Sequence, residues 1–241
     1  MIGKERYAME MPPMKKPCFD GIDAILIDLD NTLFDTSKNK LENMKHFANV
    51  EGDGWTAEKQ AAFSKEQRAL FSQLYNEEIT LENFLLERGG AFCRAFSIPK
   101  SKEEGMNLVH ASIRRSMDLL PGAADAVKKL AALNVPLCIA SNGVYKNQQG
   151  RLEEAGLLSY FTHLFVSDSM GTIKPCAKFY QYALDVLGVD PSRVMMIGDA
   201  RTDDICAAKA LGIRTCYIMG KPDKEIPPEA DYYVLGPADL F

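Results

Sequence analysis

The sequence predicts an α/β fold built on a parallel β-sheet. Short apolar runs recur along the chain, and the first five hold almost no charge, as expected for strands covered on both faces. Stretches with helical spacing of apolar residues lie between these runs, and this alternation is typical of a parallel sheet flanked by helices. The predicted strands are Ala24–Ile27, Pro136–Ala140, Leu164–Val166, Val194–Ile197, Thr215–Met219 and Tyr232–Leu235.

Four helices are predicted between the later strands. They are Ala123–Leu133, Gln148–Ala155, Phe179–Leu187 and Thr202–Leu211. A glycine directly follows each of the last three, and glycine is the residue that most often ends a helix. All four predicted helices therefore have an apolar face, and three of them also have a signal for the C-terminal end.

A long segment without strand signals separates the first two predicted strands. It holds four helical patterns, Lys38–Ala48, Ala57–Tyr75, Leu81–Phe96 and Ser101–Ser116. A single crossover between parallel strands needs only one helix, so an inserted helical subdomain is predicted over residues 36–117. The core domain then comprises residues 21–35 and 118–241, and residues 1–20, with four methionines and three prolines, are expected to be a loose leader.

Composition restricts the classes of partner. The chain has 241 residues, of which 46% are hydrophobic, enough for a substantial core. A net charge of −5 argues against a nucleic-acid polymer or a membrane surface as a partner. The six cysteines form no C-x-x-C pair, which indicates free thiols and a cytoplasmic location. A monomer is expected, with a homodimer as the alternative.

Polar residues follow four of the predicted strands, at the edge where open α/β sheets bind ligands. They are Asp28, Asp30 and Thr32; Ser141 and Asn142; Lys174; and Asp199 with Asp203 and Asp204. Carboxylate oxygens suit Mg²⁺, whereas lysine and hydroxyl groups suit phosphate. The sequence therefore predicts a site for Mg²⁺ and a phosphate group.

The same residues resemble the motifs of the haloacid dehalogenase superfamily. Its D-x-D-x-T motif appears as residues 28–32, its Ser as Ser141, its Lys as Lys174 and its acidic motif as Gly198-Asp199 with a later Asp. The stretch from Ser141 to Pro175 is similar to the branch of pyrimidine 5′-nucleotidases and N-acylneuraminate-9-phosphatases. The resemblance implies a Rossmann-like doubly wound sheet of order 5-4-1-2-3 with an inserted helical cap of the C1 type.

The resemblance also implies an activity, namely Mg²⁺-dependent hydrolysis of a small phosphate monoester, a nucleotide or a sugar phosphate, through an aspartyl-phosphate. Asp28 would be the nucleophile and Asp30 the general acid and base, with its pKa raised by nearby carboxylates and phosphate. Thr32 would orient Asp30, and Thr32, Ser141, Asn142 and Lys174 would form the phosphate-binding set.

The implied magnesium ligands are Asp28, the main-chain carbonyl of Asp30, Asp199 and one later acid. Asp203 and Asp204 both have spacings found in the superfamily, and Asp204 is preferred. The other acid is then expected to interact favourably with a helix N-terminus.

Three other functions are alternatives to phosphatase activity. A 2-haloacid dehalogenase lacks an acid at the position of Asp30, because halide leaves without a proton. A phosphosugar mutase would keep Asp28 and Asp30, but its first motif typically continues with Gly where this chain has Asn31. A non-catalytic phospho-acceptor or scaffold protein would lack the Asp30 equivalent or other motif residues.

Several further residues are interpreted as structural. Gln148 and Arg151 are expected to be solvated residues on a helix face. The three histidines, His46, His110 and His163, are expected to be surface or structural residues. The aromatic residues of the insert, Trp55, Phe71, Tyr75 and Phe84, are expected to pack in its core more than to stack on a substrate.

Overall fold

The computed structural model describes residues 13–222 and 224–241. Six parallel strands form one sheet in the order β3-β2-β1-β4-β5-β6. Their bounds are β1 Ala24–Ile27, β2 Leu137–Ser141, β3 His163–Val166, β4 Val194–Gly198, β5 Arg214–Ile218 and β6 Tyr232–Val234. The predicted fold class and the implied order of the first five strands are confirmed, and the sixth strand extends the edge beside β5.

Strand β1 lies in the centre of the sheet, and its neighbours determine where the polar residues meet. Ile27 pairs with Ile139 of β2 on one side and with Ile197 of β4 on the other. The residues that follow these three strands therefore emerge side by side at one edge. Every residue of β1, β2 and β4 is buried, which explains why these runs hold almost no charge.

The two faces of the sheet form separate hydrophobic clusters, because successive strand side chains point to opposite sides. Ile25 and Ile27 belong to one cluster, with helix α5 (Ala123–Ala131) packed against it. Ala24 and Leu26 belong to the other, with helix α8 (Ala177–Leu187) packed against it. Helices thus cover both faces of the sheet.

Eight helical segments occupy the predicted places with differences at their ends, and the short helix α7 was not predicted. They are α1 Thr36–Glu51, α2 Ala57–Tyr75, α3 Leu81–Ala95, α4 Lys102–Arg114, α5 Ala123–Ala131, α6 Tyr145–Glu154, α7 Ser167–Met170, α8 Ala177–Leu187 and α9 Ala207–Ala210. A π-helical turn over Arg201–Cys206 precedes α9, so the helix predicted at Thr202–Leu211 is divided. Single π-turns of this kind are frequent at functional sites.

Helices α1 to α4 form the helical insert between β1 and α5. Their apolar faces build a separate cluster around Phe63, Phe92 and Phe96. The start of α4 is stabilised by a capping box, in which Ser101 and Glu104 each bond the other's backbone N–H. The insert therefore has its own core and its own helix-end signals.

The chain enters and leaves the helical insert at one paired crossing. Phe34 and Leu119 form an antiparallel bridge there. Asp35 N donates to Asp118 O at 2.8 Å, and Leu120 N donates to Leu33 O at 2.8 Å. The two connecting segments thus run side by side between the sheet and the insert.

Part of the predicted leader is attached to the sheet. Residues 1–12 lie outside the described residues, so the prediction for them stays untested. Lys15 exchanges two backbone hydrogen bonds with Tyr233 at 3.0 and 2.9 Å, and the ring of Phe19 stacks on Phe241. The expectation of a loose segment is therefore wrong for these residues, since contacts to the far end of the chain fix them.

The prediction of free thiols is confirmed. All six cysteines lie in the described part of the chain and carry free thiols. None of the described helices is both long and apolar enough to cross a membrane.

Helices α3 and α4 approach so closely that glycine is required at their contact. A Cβ atom on Gly105 would overlap Gly89 O and Cys93 Sγ, and a Cβ atom on Gly89 would overlap the backbone of Met106. Gly90, one residue further along α3, faces only side chains, the nearest being that of Lys102.

We expect Gly105→Ala to lower the free energy of unfolding by about 2 kcal/mol, since the overlap outweighs the higher helix propensity of alanine. Gly90→Ala is the matched control and should change it by less than about 1 kcal/mol, because the Lys102 side chain can move. Urea denaturation followed by circular dichroism measures both. A Gly105→Ala variant as stable as the parent would contradict the close backbone packing.

Candidate active site

A pocket of about 350 Å³ lies between the C-terminal edge of the sheet and the helical insert. Asp28, Asp30 and Lys174 line its core side, and Phe84 and Arg88 of α3 line its insert side. Of the predicted site residues, Asp28, Asp30, Asn142, Lys174 and Asp199 all border this pocket. The structure thus brings residues from four strand ends into one cavity, together with residues of the insert.

The ammonium group of Lys174 lies buried behind the pocket with three acceptors. It donates to Asp28 Oδ1 at 2.8 Å, to Asp204 Oδ1 at 2.6 Å and to the carbonyl of Ala140 at 2.7 Å. Burial alone would lower the pKa of Lys174, but the charges of Asp204 and Asp28 raise it well above its usual range. Lys174 is therefore a permanent cation whose three N–H donors are all satisfied.

Three carboxylates cluster near this ammonium group, and two of them, Asp28 and Asp204, bond it directly. One oxygen atom from each of Asp28, Asp199 and Asp204 lies within 4.8 Å of the others. Burial, together with the charge of Asp204, raises the pKa of Asp199 to about 7. Burial also raises the pKa of Asp28, although the Lys174 charge opposes this. Such a cluster of oxygen ligands is the kind that Mg²⁺ accepts, so the donor set fits this ion.

Asp203 and Asp204 point in different directions. Asp204 is wholly buried, and its Oδ2 accepts from Ala200 N at 3.0 Å within the π-turn. The Asp203 carboxylate instead accepts from the Tyr75 hydroxyl of the insert and from Asn142 Nδ2, each at 3.3 Å. The geometry thus favours Asp204 as the acid that completes the cluster.

Three side chains hold the carboxylate of Asp30. Thr36 Oγ1 and Arg151 Nη1 each donate to Oδ1 at 2.6 Å, and Gln148 Nε2 donates to Oδ2 at 2.9 Å. Burial raises the pKa of Asp30, but the Arg151 charge and these hydrogen bonds outweigh it, so the pKa is lowered. The expected upward shift is therefore absent here, because a guanidinium lies beside the group.

The expectation of solvated positions for Gln148 and Arg151 is wrong. Both side chains are wholly buried. Arg151 also donates to Ser116 O at 3.0 Å and to Thr36 Oγ1 at 2.7 Å, and it lies 4.4 Å from the ring of Phe34. One sequence signal was available, because Gln148 lies four residues before the buried Leu152 and so on the same helix face.

The threonine that contacts Asp30 is Thr36 and not Thr32. Thr32 is wholly buried, its hydroxyl has no hydrogen-bond partner among the described residues, and it does not border the pocket. Thr36, in the first turn of α1, bonds Asp30 instead. The prediction that Thr32 orients Asp30 or binds phosphate is thus not supported by any contact.

Ser141 and Asn142 connect the end of β2 with neighbouring segments. The Ser141 hydroxyl is buried and accepts from Gln148 Nε2 at 2.9 Å. The Asn142 side chain donates to Lys174 O at 2.7 Å and accepts from Lys174 N at 2.8 Å. This double contact fixes the backbone that carries Lys174, which places the ammonium group.

The aromatic residues of the insert divide between its core and the pocket. Trp55 stacks on Phe96 at 4.4 Å, as a core residue would. Phe71, Tyr75 and Phe84 border the pocket instead, although Phe84 is also buried. Among the three histidines, His110 borders the pocket as well, so it is more than a surface residue.

Comparison with known proteins identifies relatives along most of the chain. A family model for haloacid dehalogenase-like hydrolases matches residues 22–212. The pyrimidine 5′-nucleotidase PynA of Streptococcus pneumoniae is 28% identical over 197 residues, 80% of this chain and 82% of that protein. A glyceraldehyde 3-phosphate phosphatase of Pyrococcus furiosus is 29% identical over 235 residues, 88% of this chain and 89% of that protein.

Solved structures share the fold. The HAD-hydrolase YfnB of Bacillus subtilis, in a form bound to magnesium, gives a TM-score of 0.75 at 22% identity over 91% of this chain and 96% of that one. The L-2-haloacid dehalogenase of Xanthobacter autotrophicus gives 0.70 at 18% identity with the same coverage. With the family match across residues 22–212, the chain belongs to the haloacid dehalogenase-like hydrolases.

Proposed function

We propose that this hydrolase is a Mg²⁺-dependent phosphatase that cleaves a small phosphate monoester, such as a nucleotide or a sugar phosphate, through an aspartyl-phosphate on Asp28. The observation that carries the proposal is the position of Asp30, which borders the same pocket as Asp28. An alkoxide leaving group needs a proton from a nearby acid, whereas a halide does not. Asp30 therefore favours phosphate-ester hydrolysis over dehalogenation.

The named relatives support the same reaction class. PynA is called a pyrimidine 5′-nucleotidase, and the Pyrococcus furiosus protein is called a glyceraldehyde 3-phosphate phosphatase. Both names describe cleavage of a small phosphate ester, but of different esters. The relatives thus support phosphate-ester hydrolysis. The substrate has to be inferred from the pocket residues of this chain.

The proposed reaction has two steps. A carboxylate oxygen of Asp28 attacks phosphorus, the bond from phosphorus to the ester oxygen breaks, and Asp30 gives its proton to that oxygen. Water then attacks the phosphorus of the aspartyl-phosphate, gives a proton to Asp30 and releases inorganic phosphate. Asp28 is regenerated as a carboxylate, so protons and bonds balance over the cycle.

Asp30 must be protonated for the first step, although Arg151 lowers its pKa in the free enzyme. A bound phosphate dianion next to Asp30 would raise that pKa, because a neighbouring negative charge favours the neutral acid. Arg151 then suits the second step, in which Asp30 must act as a base. Lys174 would offset the negative charge of the transferring group.

The proposed magnesium ligands are Asp28, Asp199 and Asp204 with the main-chain carbonyl of Asp30. Bound there, Mg²⁺ would neutralise charge on the transferring phosphoryl group. The residues of the helical insert, 36–117, are proposed to act as a cap over the core of residues 21–35 and 118–241. In that position they would exclude bulk water from the pocket.

A phosphatase screen with Mg²⁺ tests the reaction class. We expect release of inorganic phosphate from members of a set of nucleoside monophosphates, sugar phosphates and p-nitrophenyl phosphate. Asp28→Asn and Asp30→Asn should keep the fold by circular dichroism and lose turnover by a factor of about 100 or more, since each removes a reacting group. Near-normal turnover by Asp30→Asn would exclude its acid role, and an isomeric phosphate product would indicate a mutase.

The hydrogen bond from Thr36 to Asp30 gives a second prediction. Thr36→Val keeps the side-chain shape but removes a bond to a charged group, so we expect kcat to fall about 10-fold. Thr32→Val is the matched control, because its buried hydroxyl has no hydrogen-bond partner within residues 13–222 and 224–241, and its kcat should change far less. Steady-state kinetics with p-nitrophenyl phosphate compares the two. The reverse order of effects would restore the role first predicted for Thr32.

Removal of the metal gives a third prediction. Chelation by EDTA should abolish turnover, and Mg²⁺ should raise the Tm of the substrate-free protein by binding the folded state. Asp199→Asn removes one of three crowded negative charges, so it should raise the Tm in EDTA and abolish the Mg²⁺-dependent rise. Asp125→Asn, on the exposed surface of α5, is the control: it should not raise the Tm in EDTA, and it should leave the Mg²⁺-dependent rise intact. Turnover that persists in EDTA would contradict the metal assignment.

A further inference from the structure

Two cations of the helical insert, Arg88 and Lys40, border the pocket. Arg88 of α3 is only 7% exposed, and its Nε has no hydrogen-bond partner among the described residues. Lys40 of α1 lies one helical turn after Thr36 and borders the same pocket. In the part of the chain that the structure describes, neither side chain forms an ion pair. A buried charge that is left unpaired is costly, which suggests that a ligand pairs with it.

The pKa values of Arg88 and Lys40 are shifted in the direction expected when a positive charge is costly to bury. Burial lowers the pKa of Arg88 to about 10. Burial and repulsion from Arg88 lower the pKa of Lys40 to about 8, although the charge of Asp30 partly opposes this shift. The two cations therefore lie close enough to repel each other, and an anion between them would relieve both effects.

His110 of α4 adds a third group to this wall. Its Nε2 is buried and has no hydrogen-bond partner among the described residues. Burial and the charge of Arg88 lower the pKa of His110 to about 4, so the imidazole is neutral near neutral pH. A neutral imidazole can donate one hydrogen bond to an oxygen without adding charge. Donors from three different helices thus converge on one part of the pocket.

Packing around Arg88 orients its guanidinium. Phe84 lies one helical turn before Arg88 on α3, and its ring centroid is 5.3 Å from the guanidinium carbon. Contact with an aromatic face stabilises a cation and limits its freedom. Leu85 and Ile113 give the same side of the pocket an apolar lining. A fixed guanidinium in such a setting suits bidentate recognition of a carboxylate or a phosphate.

We propose that the substrate carries a second anionic group, a carboxylate or a phosphate, which binds to Arg88 and Lys40 while the scissile phosphate lies at Asp28. This inference rests on the proposed phosphatase function and narrows its substrate class to anionic phosphate esters. The scissile phosphate has a separate cation, because Lys174 lies at Asp28. The two ends of the pocket therefore serve two different groups of one small molecule.

Matched substrate pairs test the proposal. Each pair differs in one anionic group: 3-phosphoglycerate and glycerol 3-phosphate, orotidine and uridine 5′-monophosphate, and fructose 1,6-bisphosphate and fructose 6-phosphate. The parent enzyme should prefer the anionic member of at least one pair, measured as kcat/KM. Arg88→Met should reduce that preference about 10- to 100-fold, the value of a hydrogen-bonded charge pair. The first two pairs report on a carboxylate, and the third reports on a second phosphate.

Two further variants separate binding from folding. Arg88→Lys should restore part of the lost preference, because it keeps the charge but loses the bidentate geometry. Arg94→Met is the matched control on the same helix, where the arginine is exposed and pairs with Glu66, and it should leave the preference unchanged. Circular dichroism melts check that each variant is folded.

A binding measurement gives a readout without turnover. In the Asp28→Asn background, calorimetry with the preferred anionic ester should show a Kd about 10-fold or more weaker when Arg88→Met is added. If Arg88→Met lowered kcat/KM equally for both members of every substrate pair, the proposal would be overturned, since Arg88 would then act on the scissile phosphate. No preference for any anionic member, in an enzyme that hydrolyses p-nitrophenyl phosphate, would also overturn it. If no ester at all is hydrolysed, the phosphatase function itself fails.

Discussion

The site depends on the buried ammonium group of Lys174. Three carboxylates crowd within 4.8 Å beside it, and two unit charges about 4 Å apart repel by ~4 kcal/mol at the effective dielectric of a protein surface. Lys174 offsets part of this repulsion by bonding two of the three carboxylates directly. Its third bond, to the carbonyl of Ala140, ties the ammonium to β2. One side chain therefore connects β2, the π-turn and the acid cluster.

A second constraint joins the helical insert to the core through Asp30. Thr36 belongs to the first turn of α1, whereas Gln148 and Arg151 belong to α6 of the core. All three bond the same carboxylate. The protonation and orientation of Asp30 therefore depend on where α1 lies relative to the sheet. A rearrangement of the insert would act directly on the proposed acid and base.

Much of the fold and the site could be predicted from the sequence, because each signal was local. Strands buried on both faces hold almost no charge, so their apolar runs were visible, and the polar residues at their ends had to meet at one edge. The burial of Arg151 was missed because its partners, Ser116 and Thr36, come from distant segments. The attachment of Lys15 to Tyr233 was missed for the same reason. The local sequence pattern predicts which helix or strand carries a side chain. Only tertiary contacts show which distant groups form hydrogen bonds with that side chain.

The paired crossing at Phe34 and Leu119 has a consequence for how such a chain can change over evolutionary time. Because the helical insert departs and returns at a single bridged point, its length and sequence can vary without shifting the register of any strand. The entropy of closing a longer loop grows only slowly with its length, so such variation costs little stability. The crossing thus allows the insert to be exchanged as a unit. The residues that line the pocket can then change while the reacting groups of the core stay the same.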